Sequence, residues 1–286
     1  MREIIYLHPM LTRRKFLVNT LKGIVLIGAG NTLQSFAAPG FRLPAAGKVV
    51  LRFALASDGH FGQKDTTWAD NHQRMTGFLN KEKAGRGLDY SFINGDIIHD
   101  NPAFLPEAKT TWDRLEMPYF VSHGNHDKIN EDGWEKTWGT RWHHAFTKGD
   151  AAFLILNTAD ETGKYICPDV DWTRSQLHKY RNKKHLFVIM HITPVKWTEH
   201  GIDCPELVEL FSAQKNLRAV FHGHDHAEDG MKEKNGKHYF FDGHLGGSWG
   251  TPYFGYRIVE VLNNGEVLCY QVNPAVTEPV NRNVIV

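Results

Sequence analysis

The chain has 286 residues, of which 41% are hydrophobic and 12% aromatic, so it has ample apolar material for a large core and disorder on a large scale is excluded. Its formal net charge of +1 gives no field that would hold a phosphate backbone across the whole surface, and we expect no stable nucleic-acid partner. The 17 histidines are many for this length and concentrate around a few short clusters. That concentration favours metal binding.

The first forty residues carry the features of an export signal. The run TRRKFL at 12–17 precedes a mildly apolar stretch at 18–36, which ends in small residues before Pro39. This arrangement resembles a twin-arginine export signal. We therefore expect residues 1–38 to be the signal of a periplasmic or extracellular protein that contacts the membrane only transiently. A membrane anchor formed by an uncleaved N-terminal segment is the alternative.

After the signal, apolar runs of strand length alternate with helical patterns. Trp68, His72, Met75 and Leu79 fall on one face of a helix, and Asp171 is the expected N-cap of a later helix. This alternation is typical of βαβ units and predicts an α/β fold. The predicted strands of this part are 49–56, 88–94, 119–122, 151–157, 185–190 and 217–221.

The C-terminal part has a different pattern. Runs at 238–241, 256–262 and 267–272 are predicted strands, and Asn263-Asn264-Gly265 is a hairpin turn between the last two. We expect these strands to form a second, largely antiparallel sheet. The segments 197–204 and 243–255 are the expected loops over a site. No linker divides residues 39–286, which we expect to be one domain.

Five of the first six predicted strands end at a short polar cluster. Taken singly, these clusters are weak signals, because an Asp after a strand is usually a turn residue and a lone His is more often structural. Together, each at the carboxyl end of a strand, they would meet along one sheet edge and form a metal site. The clusters are Asp58-Gly59-His60, Gly95-Asp96, Gly124-Asn125-His126-Asp127, His191 and Gly223-His224-Asp225-His226.

The three cysteines lack the CxxC spacing of a zinc knuckle or a thioredoxin-like motif. The cysteines are Cys167, Cys204 and Cys269, and they either include one disulfide, between Cys167 and Cys204, or are buried free thiols. Several tryptophans, Trp249 among them, lie near the polar clusters in sequence. They could form aromatic walls for an organic part of a substrate, although core packing is the more common fate of a tryptophan.

In this order, the set DxH, GD, GNHD, a lone His and GHxH resembles the calcineurin-like metallophosphoesterase family. The resemblance implies a two-sheet α/β/β/α sandwich with two divalent metal ions at the carboxyl ends of its strands. It implies that Asp58, His60, Asp96 and His226 hold one ion, and that Asp96, Asn125, His191 and His224 hold the other. It further implies that Asp96 bridges the ions, that His126 is the catalytic histidine and that Asp127 orients its loop.

By the same resemblance, the reaction is hydrolysis of a small phosphoric ester by a water activated between two Mn, Fe or Zn ions. The overall pattern favours a phosphodiesterase. A phosphomonoesterase on the same scaffold is the alternative, followed by a non-catalytic metal-binding protein. The last of these would be expected to lose His126, which the chain retains.

One position departs from the family pattern. Relatives have an aspartate that orients the catalytic histidine, or a metal-bound tyrosine, three positions after the GD aspartate. This chain has His99 there, with Asp100 next to it. The partner of His126 is therefore open. Both Asp100 and Asp225 are candidates to hold an imidazole N–H, or are solvated turn residues.

Overall fold

Two mixed β-sheets of six strands each form the centre of the protein. The computed structural model describes residues 47–285, so the expected export signal lies outside the described residues. Among the described helices, none combines the length and the apolar character that crossing a membrane requires. The strands are β1 (Val49–Ala56), β2 (Tyr90–Asn94), β3 (Tyr119–Ser122), β4 (His144–Lys148), β5 (Ala151–Leu156), β6 (His185–Met190), β7 (Leu217–His222), β8 (Met231–Lys234), β9 (Lys237–Phe241), β10 (Tyr256–Leu262), β11 (Val267–Val272) and β12 (Val280–Ile285).

The first sheet has the order β12-β11-β10-β1-β2-β3, and the second has the order β4-β5-β6-β7-β9-β8. The neighbours β1, β2 and β3 are parallel in the first sheet, as are β5, β6, β7 and β9 in the second. Because parallel strands place their carboxyl ends on the same edge, each sheet presents one edge at which several chain segments emerge together.

The α-helices in the described part of the chain are α1 (Trp68–Arg86), α2 (Leu105–Trp112), α3 (Glu131–Trp138), α4 (Val170–Lys179) and α5 (Pro205–Ala213), and a short 3₁₀ helix at Pro102–Phe104 precedes α2. The predicted face of α1 is confirmed, since His72, Met75 and Leu79 are buried. The predicted cap of α4 is wrong by two residues. Asp169 caps this helix by accepting the Trp172 N–H at 2.8 Å, and Asp171 lies in the first turn.

Aromatic side chains fill the space between the two sheets. Phe53 of the first sheet meets Phe153 and Phe187 of the second edge to face, with ring centroids 5.2 and 5.1 Å apart. The outer face of the first sheet packs on α1 and α2, and that of the second packs on α4 and α5. The layers are therefore α/β/β/α, which confirms the predicted sandwich.

The prediction of a separate, largely antiparallel C-terminal sheet is wrong. The hairpin β10–β11 forms as expected, but β10 pairs antiparallel with β1 and so extends the first sheet. Strand β9 instead pairs parallel with β7 in the second sheet. Alternating apolar residues indicate a strand and its buried face, whereas the strand that pairs with it is determined by contacts between residues distant in the sequence.

Cys167 and Cys204 form a disulfide, and Cys269 is a buried free thiol. The bond joins the segment that precedes α4 to the residue that caps α5. The segments 197–204 and 243–255 are both loops, as predicted.

Candidate metal centre

The five polar clusters converge where the two sheets meet, at the carboxyl ends of β1, β2, β3, β6 and β7. Backbone hydrogen bonds fix the loops to each other. The loop after β1 runs beside the loop after β2, with the Asp58 N–H donating to the Gly95 carbonyl at 3.1 Å and the His60 N–H donating to the Asp96 carbonyl at 2.9 Å. The Gly223 N–H donates to the His191 carbonyl at 3.0 Å and so joins the ends of β6 and β7.

Four of the candidate ligands have left-handed backbone conformations. The φ angles are 58° at Asp58, 48° at His60, 48° at Asp96 and 66° at His224. A left-handed conformation costs a residue with a side chain roughly 1–2 kcal/mol, so four in one site indicate that the surrounding structure holds these residues in place. The fold therefore maintains a fixed arrangement of side chains at the expense of local backbone preference.

The first group of side chains is Asp58, His60 and His226, all of them buried. The Nε2 atom of His226 lies 3.1 Å from Asp58 Oδ1 and 3.0 Å from His60 Nε2. All three potential ligand atoms lie within 4.8 Å of one another, a spacing at which one ion could contact them all.

The second group is Asp96, His191 and His224, with the same mutual spacing. The Nε2 atom of His191 lies 3.2 Å from Asp96 Oδ2, and His60 Nε2 of the first group lies 3.8 Å from the same oxygen. Asp96 Oδ2 is therefore positioned between the two groups. This is the place that a bridging carboxylate requires.

Three residues expected to hold the second ion together with Asp96 each have a buried polar atom without a hydrogen-bond partner among the described residues. These atoms are His224 Nε2, Asn125 Oδ1 and His191 Nε2, the last of which approaches Asp96 Oδ2 without the geometry of a hydrogen bond. An unpaired buried polar atom costs about 1–3 kcal/mol. A cation coordinated by these atoms would remove that cost, so the residues present fit a divalent metal.

The electrostatics of the site also favour a cation. Burial lowers the pKa of His191, but the carboxylates of Asp96 and Asp58 outweigh burial and raise the pKa to about 10. Two carboxylates buried side by side thus require a positive charge among them. A metal ion would supply that charge and displace the proton from the imidazole.

In three of the candidate imidazole ligands, Nδ1 contacts a group that is not a candidate ligand. His191 Nδ1 donates to the Asn94 carbonyl at 2.8 Å, and His226 Nδ1 donates to the Trp249 carbonyl at 3.1 Å. With the proton held on Nδ1, Nε2 is free to act as a ligand. The Nδ1 atom of His60 lies 3.0 Å from Nδ1 of His99, so His99 contacts a candidate ligand from behind.

The family model described as calcineurin-like phosphoesterase matches residues 51–228, which is more than half of the chain. The chain belongs to the calcineurin-like phosphoesterase family. This family depends on a dinuclear metal centre, and the protein is a hydrolase that acts on phosphoric ester bonds.

Solved structures of phosphatases share the fold of this phosphoesterase. A dimetal phosphatase from Danio rerio superposes with a TM-score of 0.65 at 11% identity, over 83% of this chain and 99% of the other. A purple acid phosphatase from yellow lupin (Lupinus luteus) seeds gives 0.62 at 12% identity, over 82% of this chain and 53% of the other. At these identities the likeness concerns the fold alone. No curated protein sequence matches the chain.

His126 lies beside the two groups and is partly exposed. Its backbone N–H donates to Asp96 Oδ1 at 2.8 Å, and its Nδ1 lies 2.9 Å from Asp100 Oδ1. Partial burial raises the pKa of Asp100, but hydrogen bonds from Lys128 and His126 hold it below its ordinary value. Asp100 is thus the partner of His126 that the sequence left open. The ring of His99 stacks on His126 with centroids 4.7 Å apart.

Asp127 is fully buried and belongs to neither group of potential ligands. Its carboxylate accepts the N–H groups of Gly124 and Ile98, both at 2.9 Å. It therefore ties the loop after β3 to the loop after β2, which fits the predicted orienting role. Asp225 accepts the Thr198 hydroxyl at 3.0 Å and forms no hydrogen bond with an imidazole nitrogen of residues 47–285.

Two residues that contact candidate ligands were not identified from the sequence. Ser57 Oγ lies 2.5 Å from Asp58 Oδ2 and 2.7 Å from the Asn94 carbonyl, so it holds the first carboxylate. Tyr165 places its ring against His224, with centroids 5.0 Å apart. A serine directly before the DxH motif offered a weak signal for the first contact, whereas nothing in the sequence pointed to the second.

Proposed function

We propose that this phosphoesterase hydrolyses small phosphodiesters at a dinuclear metal centre built on Asp96. The proposal depends above all on one observation, the position of Asp96 Oδ2 between His191 Nε2 of one group and His60 Nε2 of the other. Two Mn, Fe or Zn ions held there would supply a water activated for attack on phosphorus and would neutralise phosphoryl charge. The proposed ligands are Asp58, His60, Asp96 and His226 for one ion and Asp96, Asn125, His191 and His224 for the other.

His126 is the proposed catalytic histidine. Its Nδ1 is held by Asp100, which leaves Nε2 to contact a phosphoryl oxygen or to give a proton to the leaving oxygen. Asp100 and Asp127 are positioning residues in this proposal. Asp100 fixes the imidazole, and Asp127 fixes the loop that carries it.

The charges around His126 favour a diester over a monoester. A phosphomonoester carries about 1.5 to 2 negative charges at neutral pH, whereas a diester carries about one. Lys128 is the cation in contact with the His126–Asp100 pair, and its charge already meets Asp100 Oδ1 at 2.9 Å. Because Lys128 is already paired with Asp100, it adds little positive charge to that of the two proposed ions for the second charge of a monoester, and this favours a diester.

We also propose that the protein is exported. The disulfide between Cys167 and Cys204 supports this, because such bonds persist mainly in oxidising compartments. The twin-arginine-like segment at 12–17 supports the same location. The natural substrate would then be a small phosphoester outside the cytoplasm, and contact with the membrane would be limited to export.

The deciding experiment compares bis(4-nitrophenyl) phosphate with 4-nitrophenyl phosphate on the purified protein supplied in turn with Mn, Fe and Zn. We expect a higher kcat/KM for the diester. A higher value for the monoester would make the protein a phosphomonoesterase, which is the second candidate. Retention of two metal ions without hydrolysis of either compound would overturn catalysis altogether.

A further inference from the structure

A cavity of about 510 Å³ opens beside the proposed metal centre, between the N-terminal half of α1 and the loop 243–255. Its volume lies in the range of small-molecule sites, which is about 300–1,000 Å³. None of the proposed metal ligands lines it. The cavity is therefore a neighbour of the centre and has to be explained separately.

Two residues connect the cavity to the centre. Gly247 lines the cavity, and a Cβ atom added to it would lie 2.9 Å from His226 Cε1 and 3.3 Å from His60 Cδ2. Trp249 also lines the cavity, and its ring stacks on the His226 imidazole with centroids 4.4 Å apart and planes 6° apart. Gly247 lies too close to the two imidazoles to leave a passage there, whereas the ring of Trp249 is exposed and contacts both His226 and His60. A molecule bound at the ions could therefore reach the cavity across the ring of Trp249.

The walls of the cavity carry exposed aromatic rings. Trp249 is 45% exposed and Phe254 is 38% exposed, and these are two of the few large hydrophobic side chains that the described residues leave at the surface. Tyr253 and Phe78 lie in the same walls. Exposed aromatic rings gathered in one concave place are typical of a site that stacks a flat organic group.

The formal charge in the wall of the cavity is positive. Of the described residues in its wall, Arg74 of α1 is the one with a formal charge, and none carries a carboxylate. Arg74 is exposed and forms no ion pair with any carboxylate of residues 47–285. An unpaired guanidinium at the edge of an aromatic pocket is complementary to an anionic group on an otherwise flat ligand.

We propose that this cavity binds the retained arm of a phosphodiester, and that the preferred arm combines an aromatic body with an anionic group. The inference rests on the proposed function. His126 contacts Asp96 and is the proposed proton donor, so the leaving arm has to lie near His126. Because Trp249 stacks on His226 rather than on His126, the proposal assigns the cavity to the arm that stays on phosphorus.

The first test uses two diesters that share one leaving group. In methyl 4-nitrophenyl phosphate the retained arm is a methyl group, and in bis(4-nitrophenyl) phosphate it is an aromatic ring. We expect Phe254→Ala to lower the ratio of kcat/KM for the aromatic over the methyl diester by about three- to tenfold, the size expected for one aromatic contact. The ring of Phe254 contacts His244, which in turn stacks on the proposed ligand His226, so metal analysis has to show that the variant retains both ions.

The control is Val50→Ala, which shortens another exposed hydrophobic side chain at the start of β1. It should leave the ratio unchanged. Trp249 is unsuitable for this test, because its ring and carbonyl both contact His226. An unchanged ratio in Phe254→Ala would overturn the proposal.

The second test measures binding without turnover. The zinc-loaded protein is titrated with benzenesulfonate and with benzyl alcohol, and binding is followed by saturation-transfer NMR. We expect benzenesulfonate to bind more tightly and Arg74→Gln to abolish this difference, whereas Arg181→Gln, a change at an exposed arginine after α4, should preserve it. Equal binding of the two compounds by the unmodified protein would overturn the anionic part of the inference. If neither diester were hydrolysed, the proposed function would fail, and this titration would still decide whether the cavity binds such a group.

Discussion

Asp96 is the residue on which the two groups of candidate ligands depend. Its Oδ2 faces both groups, and its Oδ1 accepts the backbone N–H of His126. The same carboxylate therefore links both proposed ions to the proposed catalytic histidine. Replacing it should affect metal content before it affects the fold, because the sheets are held by the aromatic layer between them.

We expect Asp96→Asn to lose one or both metals and to lower kcat/KM by more than about a hundredfold. Even the loss of a residue that only hydrogen-bonds to a ligand lowers metal affinity or activity by about 10- to 100-fold. Metal analysis and steady-state kinetics measure both effects, and circular dichroism should show an unchanged fold. Asp171→Asn, at a side chain exposed near the start of α4, is the matched control. Full metal content in Asp96→Asn would contradict the bridging role.

We expect His126→Ala to retain the metals and to lose about 10²- to 10⁴-fold in kcat, the usual worth of a positioned proton donor. His126 belongs to neither group of candidate ligands around Asp58 and Asp96, although its ring lies near His60 and His99. Metal content and turnover of bis(4-nitrophenyl) phosphate check the two halves of this prediction. Full turnover in this variant would show that His126 has no part in the chemistry.

We expect Asp100→Asn to keep the metals and to lower kcat by about 10- to 100-fold, because the imidazole of His126 would lose the carboxylate that fixes its tautomer. The informative control is the double variant Asp100→Asn with His126→Ala. It should be no slower than His126→Ala alone, since the two residues act as one unit. A further loss in the double variant would mean that Asp100 acts by another route.

The sequence could not assign Asp100, since its position is displaced by one from the family pattern. The assignment depends on the backbone. Asp100 has a φ angle of 65°, and its N–H donates to the His126 carbonyl at 2.9 Å. This left-handed turn brings the displaced carboxylate back to the imidazole, and the local sequence alone does not predict the turn.

At the scale of structural elements, the loop 243–255 covers one side of the proposed centre. Gly247 has a φ angle of 82° and lies directly against His226 and His60. The N–H groups of Leu245 and Gly246 donate to the carbonyls of Ser57 and Asp58 at 2.9 and 3.0 Å. The loop is therefore bonded to the DxH motif, and its close approach to the imidazoles depends on the absence of a side chain at position 247.

We expect Gly247→Ala to weaken binding of one metal, because the new Cβ would push the loop or the His226 ring away. The expected loss is at least about tenfold, the size seen when a ligand loses a residue that supports it. Competition with a chelator measures the affinity. Gly236→Ala is the matched control, since Gly236 has a φ angle of 72° but no atom within 4 Å of an added Cβ. Equal metal affinity in the two variants would contradict the prediction, because Gly236 does not contact the proposed ligands.

For the hairpin β10–β11, the sequence predicted the two strands and their turn but not the strand with which the hairpin pairs. Both strands and their turn were predicted, since their apolar residues and the Asn-Asn-Gly turn are local features. Its attachment to β1 was not predicted. That pairing joins Val49 to Leu262 across more than two hundred residues, and several strand edges would accept the same hairpin.

At the scale of the whole molecule, the disulfide closes a loop between residues 37 positions apart that contains α4, β6 and His191. We expect the variant with Cys167→Ser and Cys204→Ser to lose about 3–4 kcal/mol in the free energy of unfolding, the amount expected for a loop of this length. Urea unfolding measures it. A reducing agent should destabilise the unmodified protein by the same amount and leave the variant unchanged. Equal stability of the two proteins would contradict the prediction.

The sequence by itself determined the type of chemistry. Apolar runs that each end in Asp, His or Asn establish an α/β fold with a polar edge, because strand periodicity and ligand type are local properties of the chain. The order of the five clusters was enough to predict the family, which the family model confirmed, and the two-sheet sandwich, which the structure confirmed.

Only the tertiary structure decided how these residues meet. The placement of Asp96 between two groups, the pairing of Asp100 with His126, the disulfide and the aromatic cavity beside Trp249 all join segments that are far apart in the sequence. Such contacts depend on the path of the backbone between strands and on the packing of the two sheets. Neither the backbone path nor the sheet packing can be derived from residues that are neighbours in the sequence.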